Sequence, residues 1–295
     1  MRRREFIKTS VAITATAGIS GLPLLSSGGV DPVSKVTGES PYEITKKGVE
    51  LIGGMKKFIS KQDIVMIKPN IGWNRKVEHA ANTNPEVLKA VIEMVFDAGA
   101  KKVIVMDNSC HKSEDTYRRS GIKDAVEKSG AEIRFSDENR LVVHPFNGEK
   151  IKKWPVFRDH LEVDKFINVP ILKHHSSAGL TIGMKNLFGI IGGRRGKLHR
   201  NMGENIADLA NGFKTDLTIV DAYRILKKNG PVGGRLSDVE LKKTVICSKN
   251  IFEADVVAVD LFGKNIDEID FIDAGFRRGM GQKNIKNINI KTFVI

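Results

Sequence analysis

Residues 63–70 read DIVMIKPN, a short apolar run that predicts a buried strand ended by its proline. Residues 83–96 then carry apolar side chains at helical spacing. Asn84 is a favoured N-cap and Pro85 fits the first helical turn, so we expect the helix to begin there. Residues 102–107, KVIVMD, form a second apolar run. This strand–helix–strand unit is the building block of a parallel sheet with a right-handed crossover.

The rest of the chain repeats this alternation of apolar runs and amphipathic segments. Pro170 indicates an edge strand or a bulge, and residues 137–160 have the irregular, polar pattern of a hairpin or an excursion. Further strands are predicted at 131–135, 165–173, 216–221, 243–248 and 285–295, and further helices at 117–129, 201–213, 251–262 and 266–279. We therefore expect an α/β fold, a mostly parallel, Rossmann-like open sheet with flanking helices, in a single domain over residues 31–295.

The chain is strongly basic, with 48 Lys and Arg against 35 Asp and Glu and a net charge of +13. The excess remains when the first eight residues are set aside. Such a balance favours anionic partners, including small phosphates or carboxylates, acidic polymers and membrane surfaces. Nucleic acid is not an expected partner, because the sequence has no helix-turn-helix, zinc-finger or aromatic-interleaved basic motif and only 6% aromatic residues.

The two cysteines, Cys110 and Cys247, lie far apart and neither belongs to a C-x-x-C pair. This spacing argues against a disulfide scaffold and against a cysteine-ligated iron–sulfur cluster or zinc site. Cys247 lies in an apolar strand pattern, which is typical of a buried free thiol. Cys110 is a candidate thiolate nucleophile or ligand, although a lone loop cysteine is more often incidental.

The first 30 residues have the three-part layout of an export signal. Residues 3–8, RREFIK, resemble the twin-arginine consensus, with Ile7 in place of leucine; a weakly apolar run at 11–25 and small residues at 26–29 follow. We expect export by the twin-arginine translocase, a transient partner, and a periplasmic or extracytoplasmic location. The apolar run is too short to span a bilayer, so membrane contact is expected only through the signal or the basic surface. The alternative is an ordinary basic helix.

Polar residues follow the predicted strands where open α/β sheets place their ligands. They are Lys68, Asn70, Asp107, Asn108, Lys173, His174, His175 and Asp221, with Asp260 after a later apolar run. If these ends meet, lysines and carboxylates converge on one cleft.

The segment 173–200 is rich in Lys, Arg, His and Gly and contains no Asp or Glu. Glycine lets main-chain N–H groups approach a ligand, and arginine presents a planar fork to phosphate or carboxylate. We interpret the segment as an anion-binding loop, although not a P-loop; the alternative is a solvated basic loop. The candidate anion-binding residues are Lys68, Asn70, Lys173, Lys185, Asn186, Arg194 and Arg195.

A metal site is a second possibility at the same strand ends. Its candidate ligands are Asp107, His175 and Asp260, a set that suits zinc or nickel. His174 and His175 are adjacent on a predicted strand and point to opposite faces, so at most one of them enters the site.

Several of these stretches occur in the order seen in domain-of-unknown-function family 362, which the chain resembles over about residues 60–265. They are IKPN at 67–70, TNPEV at 83–87, VMD at 105–107, INVPILKHH at 167–175, MKNLFG at 184–189, DLTIVDA at 216–222, NGP at 229–231 and ADVVAVD at 254–260. Because the family has no agreed activity, the resemblance implies a fold group and a pocket rather than a reaction. The site residues that it favours are Lys68, Asn70, Asp107, Lys173, Lys185, Asn186, Asp221 and Asp260.

The chain departs from the family pattern at His174, where the family usually has Thr or Ser, while His175 stands at the usual histidine. Some relatives look like fusions with a cysteine-rich ferredoxin module. This chain lacks those cysteines, so the resemblance implies no iron–sulfur role here.

The leading functional hypothesis is an enzyme acting on a small anionic substrate or cofactor, with a metal if one binds. Its anion would be held by Lys173, Lys185 and Arg194. Asp107 or Asp221 would be the base or a metal ligand, and His175 the general acid or base, since histidine titrates near neutrality. Redox chemistry and isomerisation both remain open, as does the identity of any cofactor. The alternatives are a non-catalytic periplasmic anion-binding or accessory protein and a protein that binds anionic lipid.

Overall fold

The computed structural model describes residues 31–295. The strands of this part are β1 (Val33–Thr37), β2 (Ile64–Pro69), β3 (Lys102–Asp107), β4 (Glu132–Phe135), β5 (Leu141–Pro145), β6 (Lys153–Phe157), β7 (Lys165–Val169), β8 (Ile171–His175), β9 (Gly179–Thr181), β10 (Leu217–Leu226), β11 (Val239–Ser248) and β12 (Ile290–Val294). The helices are α1 (Pro41–Leu51), α2 (Pro85–Asp97), α3 (Ser113–Arg119), α4 (Ile122–Lys128), α5 (Arg158–Leu161), α6 (Gly183–Asn186), α7 (Met202–Gly212), α8 (Ile251–Phe262) and α9 (Asp270–Arg277).

One large sheet contains every strand of the described residues except β5 and β6, which form a separate hairpin. Its main path has the order β12-β1-β11-β10-β7-β2-β3-β4, and β8 and β9 branch from β10. The run from β10 to β4 is parallel throughout. Only β11, between β1 and β10, is antiparallel to its neighbours on the main path. The predicted α/β fold with a mostly parallel sheet and flanking helices is confirmed.

Helices cover both faces of this sheet and enclose two apolar cores. Along β2, Val65 and Ile67 pack with apolar residues of α1, α2 and α4 on one face. Met66 points to the other face and packs with α7, α8 and α9. Because both faces are buried, the central strands read as continuous apolar runs rather than as alternating ones.

The helix of the predicted strand–helix–strand unit, α2, begins where it was expected. Asn84 is the N-cap of α2, and its Oδ1 accepts a hydrogen bond from Glu86 N at 3.0 Å. Pro85 occupies the first turn, where its missing N–H costs nothing. The N–H of Asn84 itself donates to the carboxylate of Asp221 at 2.7 Å. This bond joins the start of α2 to the middle of β10.

The structure corrects several predicted boundaries. The run at 165–173 forms two strands, and β7 lies in the centre of the sheet between β10 and β2, so the edge position inferred from Pro170 is wrong. Pro170 instead separates β7 from β8, and its carbonyl accepts from Asp221 N. The helix predicted at 117–129 is divided at Gly121, which adopts φ 77°.

One predicted segment is confirmed, and two elements of the structure were not predicted. The irregular segment at 137–160 contains the β5–β6 hairpin, one of its two predicted forms. Both β1 and α1 lack a counterpart among the predicted elements. The predicted signal at residues 1–30 lies outside the described residues. Within residues 31–295, no helix combines the length and the apolar character needed to cross a membrane.

Candidate functional site

A cleft of about 600 Å³ opens where β2, β3 and β8 end. Parallel neighbours end on the same edge of a sheet, so the residues that follow them meet there. Nine of the predicted site residues line this cleft: Lys68, Asn70, Asp107, Lys173, His175, Lys185, Asn186, Arg194 and Arg195.

Lys68 lies at the floor of the cleft, and only 1% of the residue is exposed. Its Nζ is 2.9 Å from Asp107 Oδ1 in a buried ion pair. It also donates to Pro69 O and Asn186 Oδ1, both at 2.8 Å. Burial lowers the pKa of Lys68, and the carboxylate of Asp107 opposes that shift. The second oxygen of Asp107 accepts from Ile71 N at 2.6 Å, so the pair is fixed from both sides.

Two asparagines continue this network to a second lysine. Asn186 Oδ1 accepts from Lys68 and also from Asn70 Nδ2 at 2.9 Å. Asn70 Oδ1 in turn accepts from Lys173 Nζ at 3.0 Å. Asn186 Nδ2 donates to Asn168 Oδ1 at 2.8 Å, which sets the orientation of the Asn186 amide. Both amide oxygens therefore face an ammonium group.

Lys173 is equally buried, but its hydrogen-bond partners are all neutral. Its Nζ donates to Asn70 Oδ1, to Ala81 O and to Pro231 O. Burial lowers the pKa of Lys173 to about 7, and the charges of Lys185 and Lys68 act in the same direction. A substantial fraction of this lysine is therefore uncharged at neutral pH.

Lys185 differs from the other two lysines because its ammonium has no hydrogen-bond acceptor among the described residues. Its Nζ lies 3.9 Å from the centroid of the Phe188 ring, in a cation–π contact. Burial lowers the pKa of Lys185 to about 8, with Arg195 and Lys68 adding to the effect. An ammonium held against a ring still has all its donors available to a ligand.

The short helix α6 places Lys185 and Asn186 in the cleft. Asp255, buried on α8, accepts from Gly183 N at 2.7 Å and from Met184 N at 2.8 Å, which fixes the start of α6. Burial raises the pKa of Asp255 to about 7. After α6 the chain passes directly over the Lys68–Asp107 pair at Gly189, where a side chain would overlap both groups.

His175 lines the cleft as a neutral hydrogen-bond donor. Its Nδ1 accepts from Ser177 N and Ala178 N, each at 3.2 Å, so the proton of the neutral ring is on Nε2. Burial lowers the pKa of His175 to about 3, and the charges of Lys185 and Lys173 add to the shift. The expectation that this histidine titrates near neutrality is therefore wrong. His174 points the other way, and its Nδ1 accepts from Gly230 N.

The glycine- and arginine-rich loop at 189–196 is held in place by the β5–β6 hairpin. Trp154 Nε1 donates to Gly192 O, and Gly192 N donates to Pro155 O, both at 3.0 Å. Arg195 donates to Asn108 O at 3.1 Å and to Phe188 O at 3.3 Å. Arg194 is exposed at the cleft mouth, and among residues 31–295 its side chain makes no hydrogen bond or ion pair.

A family model described as a domain of unknown function, DUF362, matches residues 65–260. The chain belongs to the DUF362 family. The thylakoid-associated protein sll1697 of Synechocystis sp. is 27% identical over 242 residues, which cover 79% of this chain and 73% of that protein. The matched family region includes every residue of the cleft described above.

Two solved structures are similar to this chain over about four fifths of its length. The lactate racemase apoprotein of Thermoanaerobacterium thermosaccharolyticum has a TM-score of 0.46 and 11% identity, over 81% of this chain and 58% of that one. A protein of Thermotoga maritima has a TM-score of 0.39 and 11% identity, over 80% of this chain and 58% of that one. This DUF362 chain thus spans less than two thirds of either solved protein.

The structure separates two predicted residues from the DUF362 cleft. Asp221 is buried in β10, where it accepts from Asn84 N and Tyr223 N, so it is a structural group rather than a cleft residue. Burial raises the pKa of Asp221 to about 6. Asp260 is exposed on α8 and lines a different surface cavity. The three predicted metal ligands therefore do not come together, and no group of three His, Cys, Asp or Glu side chains within residues 31–295 could hold a metal.

Further residues line the cleft. Asn108 lies there at the end of its strand, as expected, and so does the exposed Cys110, the candidate nucleophile or ligand; Trp73 and Phe188 were not among the predicted site residues. Asn168 and Asp255 lie behind it and orient α6. A signal for Asp255 exists in the sequence, because a carboxylate inside the apolar run at 251–262 needs buried donors.

Sulfate affinity is expected to fall as the pH rises through 7 and 8. Lys173 and Lys185 have pKa values of about 7 and about 8, so both are cationic below this range and both are neutral above it. Above pH 8, the affinity for sulfate should fall about tenfold per pH unit for each of these lysines that must be charged to bind the anion. Calorimetric titration with sulfate between pH 6 and pH 9 tests this. Lys185→Arg should bind sulfate better than the parent at pH 9, because guanidinium keeps its proton; a flat pH profile would contradict the expectation.

Proposed function

We propose that this DUF362 protein is an enzyme that binds a small anionic substrate in the cleft and transfers a proton on it. One observation carries the proposal. The cleft brings together Lys68, Lys173, Lys185 and two arginines, while Asp107 is its single carboxylate among the described residues. Buried charges are normally paired, and here every cation of the cleft except Lys68 lacks a carboxylate partner in the part of the chain that the structure describes. A bound anion supplies that partner.

The lysines of the cleft differ in whether they contact the anion directly or support the site from behind. Lys68 is occupied by Asp107, Asn186 and Pro69, so it supplies a fixed positive charge at the floor of the cleft. Lys185 has no acceptor in the described chain, so it is the group that would bind the anion directly. His175 would add a neutral Nε2–H donor at the same wall. These donors are held by the protein before the ligand arrives, which is the arrangement that stabilises developing negative charge well.

Lys173 is the group best suited to move a proton. With a pKa of about 7, it has a large neutral fraction at neutral pH and can accept a proton from a substrate C–H group. The ammonium so formed has three acceptors in place, on Asn70, Ala81 and Pro231. The electron pair of the broken C–H bond would remain on the substrate, where an adjacent carboxylate and Lys185 would share the charge. Return of a solvent-exchanged proton from the Lys173 ammonium to the same face of that carbon completes an exchange reaction. Delivery of a proton from water to the opposite face, with Lys173 losing its proton to water, completes an isomerisation.

Solvent exchange tests the reaction directly. The protein is incubated in D₂O with small carboxylates that carry a C–H group beside the carboxylate, and deuterium incorporation is followed by NMR. Incorporation that Lys173→Met abolishes is the expected result. If the carboxylates and sulfate bind but no deuterium is incorporated, the catalytic proposal is wrong, and the non-catalytic anion-binding function becomes the better one.

Replacing Lys185 by methionine is expected to weaken sulfate binding by about 10- to 100-fold, since a charge-assisted hydrogen bond contributes roughly 1.5–3 kcal/mol. Calorimetric titration at pH 6.5 measures the change. Lys197→Met is the matched control, because Lys197 is exposed on the neighbouring basic loop and does not line the cleft. Equal affinities for the two variants would show that bulk positive charge, rather than the cleft, binds the anion.

We infer that the protein acts outside the cytoplasm after export by the twin-arginine translocase. The support is the RREFIK pattern at residues 3–8 with its following apolar run. A fusion of residues 1–30 to a reporter that is active only in the periplasm should depend on the translocase. Arg3→Lys with Arg4→Lys is expected to abolish reporter activity, whereas Lys8→Arg preserves most of it. Export that survives the paired substitution would contradict the inference.

A further inference from the structure

The positive charges of the cleft lie at two depths. Lys68 and Lys173 are each 1% exposed, and Lys185 is partly buried beside them. Arg194 is exposed at the mouth, and Arg195 lies next to it with two backbone carbonyls as its acceptors. The inner level therefore consists of ammonium groups, and the exposed guanidinium of Arg194 forms the outer level.

The cations of the two levels differ in the partners that the protein gives them. Of the five Lys and Arg side chains that line the cleft, only Lys68 is paired with a carboxylate within residues 31–295. An anion on Lys185 satisfies the inner level and leaves Arg194 without a partner within the described residues. The guanidinium of Arg194 is suited to bidentate contact with a carboxylate or phosphate, so it can bind a second anionic group at the cleft mouth.

The size and lining of the cleft also suit a larger ligand. A volume of about 600 Å³ lies within the range of sites that hold organic molecules of many atoms, well above the needs of one small anion. The rings of Trp73 and Phe188 line the cleft together with the charged residues. Aromatic side chains favour contact with the hydrocarbon part of a ligand over contact with water.

We propose, on the basis of the function proposed above, that the ligand carries two anionic groups joined by a short carbon body. One group binds Lys185 at the inner level, and the other binds Arg194 at the mouth. The inner contact is the one that the proposed chemistry requires, and the outer contact selects for length and for the second charge. Arg194 is thereby a specificity-determining residue.

A chain-length series tests this inference. Malonate, succinate, glutarate and adipate are titrated calorimetrically against the monocarboxylates with the same number of carbon atoms, at pH 6.5 and constant ionic strength. The expected result is a best length at which the dicarboxylate binds at least about tenfold more tightly than its monocarboxylate. Arg194→Gln should remove that advantage and change monocarboxylate affinity by less than about threefold.

The control variant is Arg200→Gln, since Arg200 is also exposed on the basic segment but does not line the cleft. It should retain the full preference for the dicarboxylate. Equal binding of monocarboxylates and dicarboxylates in the parent protein would overturn this inference and leave the proposed function standing. Failure of both series to bind would overturn the inference and the proposed function together.

Discussion

Replacing Gly189 by alanine is expected to lower the free energy of unfolding by about 3 kcal/mol and to abolish sulfate binding. The added Cβ would overlap Asp107 Oδ1 and Lys68 Cε, and both groups are buried. Neither can move aside freely, because Asp107 is bonded to Ile71 N and Lys68 to Asn186. Separating a buried ion pair leaves each charge without its partner, which adds to the cost of overpacking. Urea denaturation measures the loss.

Gly196→Ala is the matched control for Gly189→Ala. Gly196 belongs to the same glycine-rich loop, but a Cβ built there meets nothing within 4 Å, and its φ is not positive. Its unfolding free energy should change by no more than about 0.5 kcal/mol, as for most surface substitutions. If both variants unfold at the same urea concentration as the parent, the close packing of the loop against the ion pair is not important for stability.

Five of the nine predicted cleft residues, Lys68, Asn70, Asp107, Lys173 and His175, could be placed from sheet topology alone. Lys68 lies near the end of β2, Asn70 follows that strand, and Asp107 ends β3. These strands are parallel neighbours, so their carboxyl ends lie at the same edge of the sheet. Lys173 reaches the same edge through β8, which runs parallel to β10. A sequence pattern that identifies parallel strands therefore also identifies the edge at which a ligand binds.

The same rule failed for Asp221 for a physical reason. The strand was expected to end there, but β10 continues to Leu226 because β11 pairs with it antiparallel over nearly its whole length. Asp221 thus lies in the interior of the sheet rather than at its end. The antiparallel pairing depends on residues 239–248, which are distant in sequence, and no local pattern near Asp221 reveals it.

The pKa of His175 also could not be predicted from the sequence. The chemical type of the residue suggested a group that titrates near neutrality. In the fold, burial lowers the pKa of His175 to about 3, and the charges of Lys185 and Lys173, which come close only in the folded chain, add to the shift. The same burial makes Lys173 the group that titrates near pH 7. Lys173 rather than His175 therefore has its pKa near neutrality, and both residues line the same cleft.

Replacing Lys68 by methionine is expected to have the largest effect on stability, about 3–5 kcal/mol, because it leaves a buried carboxylate without a partner. Asp107 is 3% exposed and its Oδ1 has only the ion pair to Lys68 in the described structure. Adding Asp107→Asn should recover roughly half of the loss, since the amide removes the charge and its oxygen can still accept from Ile71 N. Urea denaturation of the parent, the single variant and the double variant gives both quantities.

Lys102→Met provides the control for this cycle, because Lys102 forms an ion pair with Glu132 in which both side chains are about 40% exposed. Exposed pairs contribute little, so its loss should be below about 1 kcal/mol. A double variant no more stable than Lys68→Met would mean that the cost comes from the acceptors on Asn186 and Pro69 rather than from the unpaired carboxylate. A recovery in the double variant without a return of sulfate binding would show that the fixed charge of Lys68 serves the ligand as well as the fold.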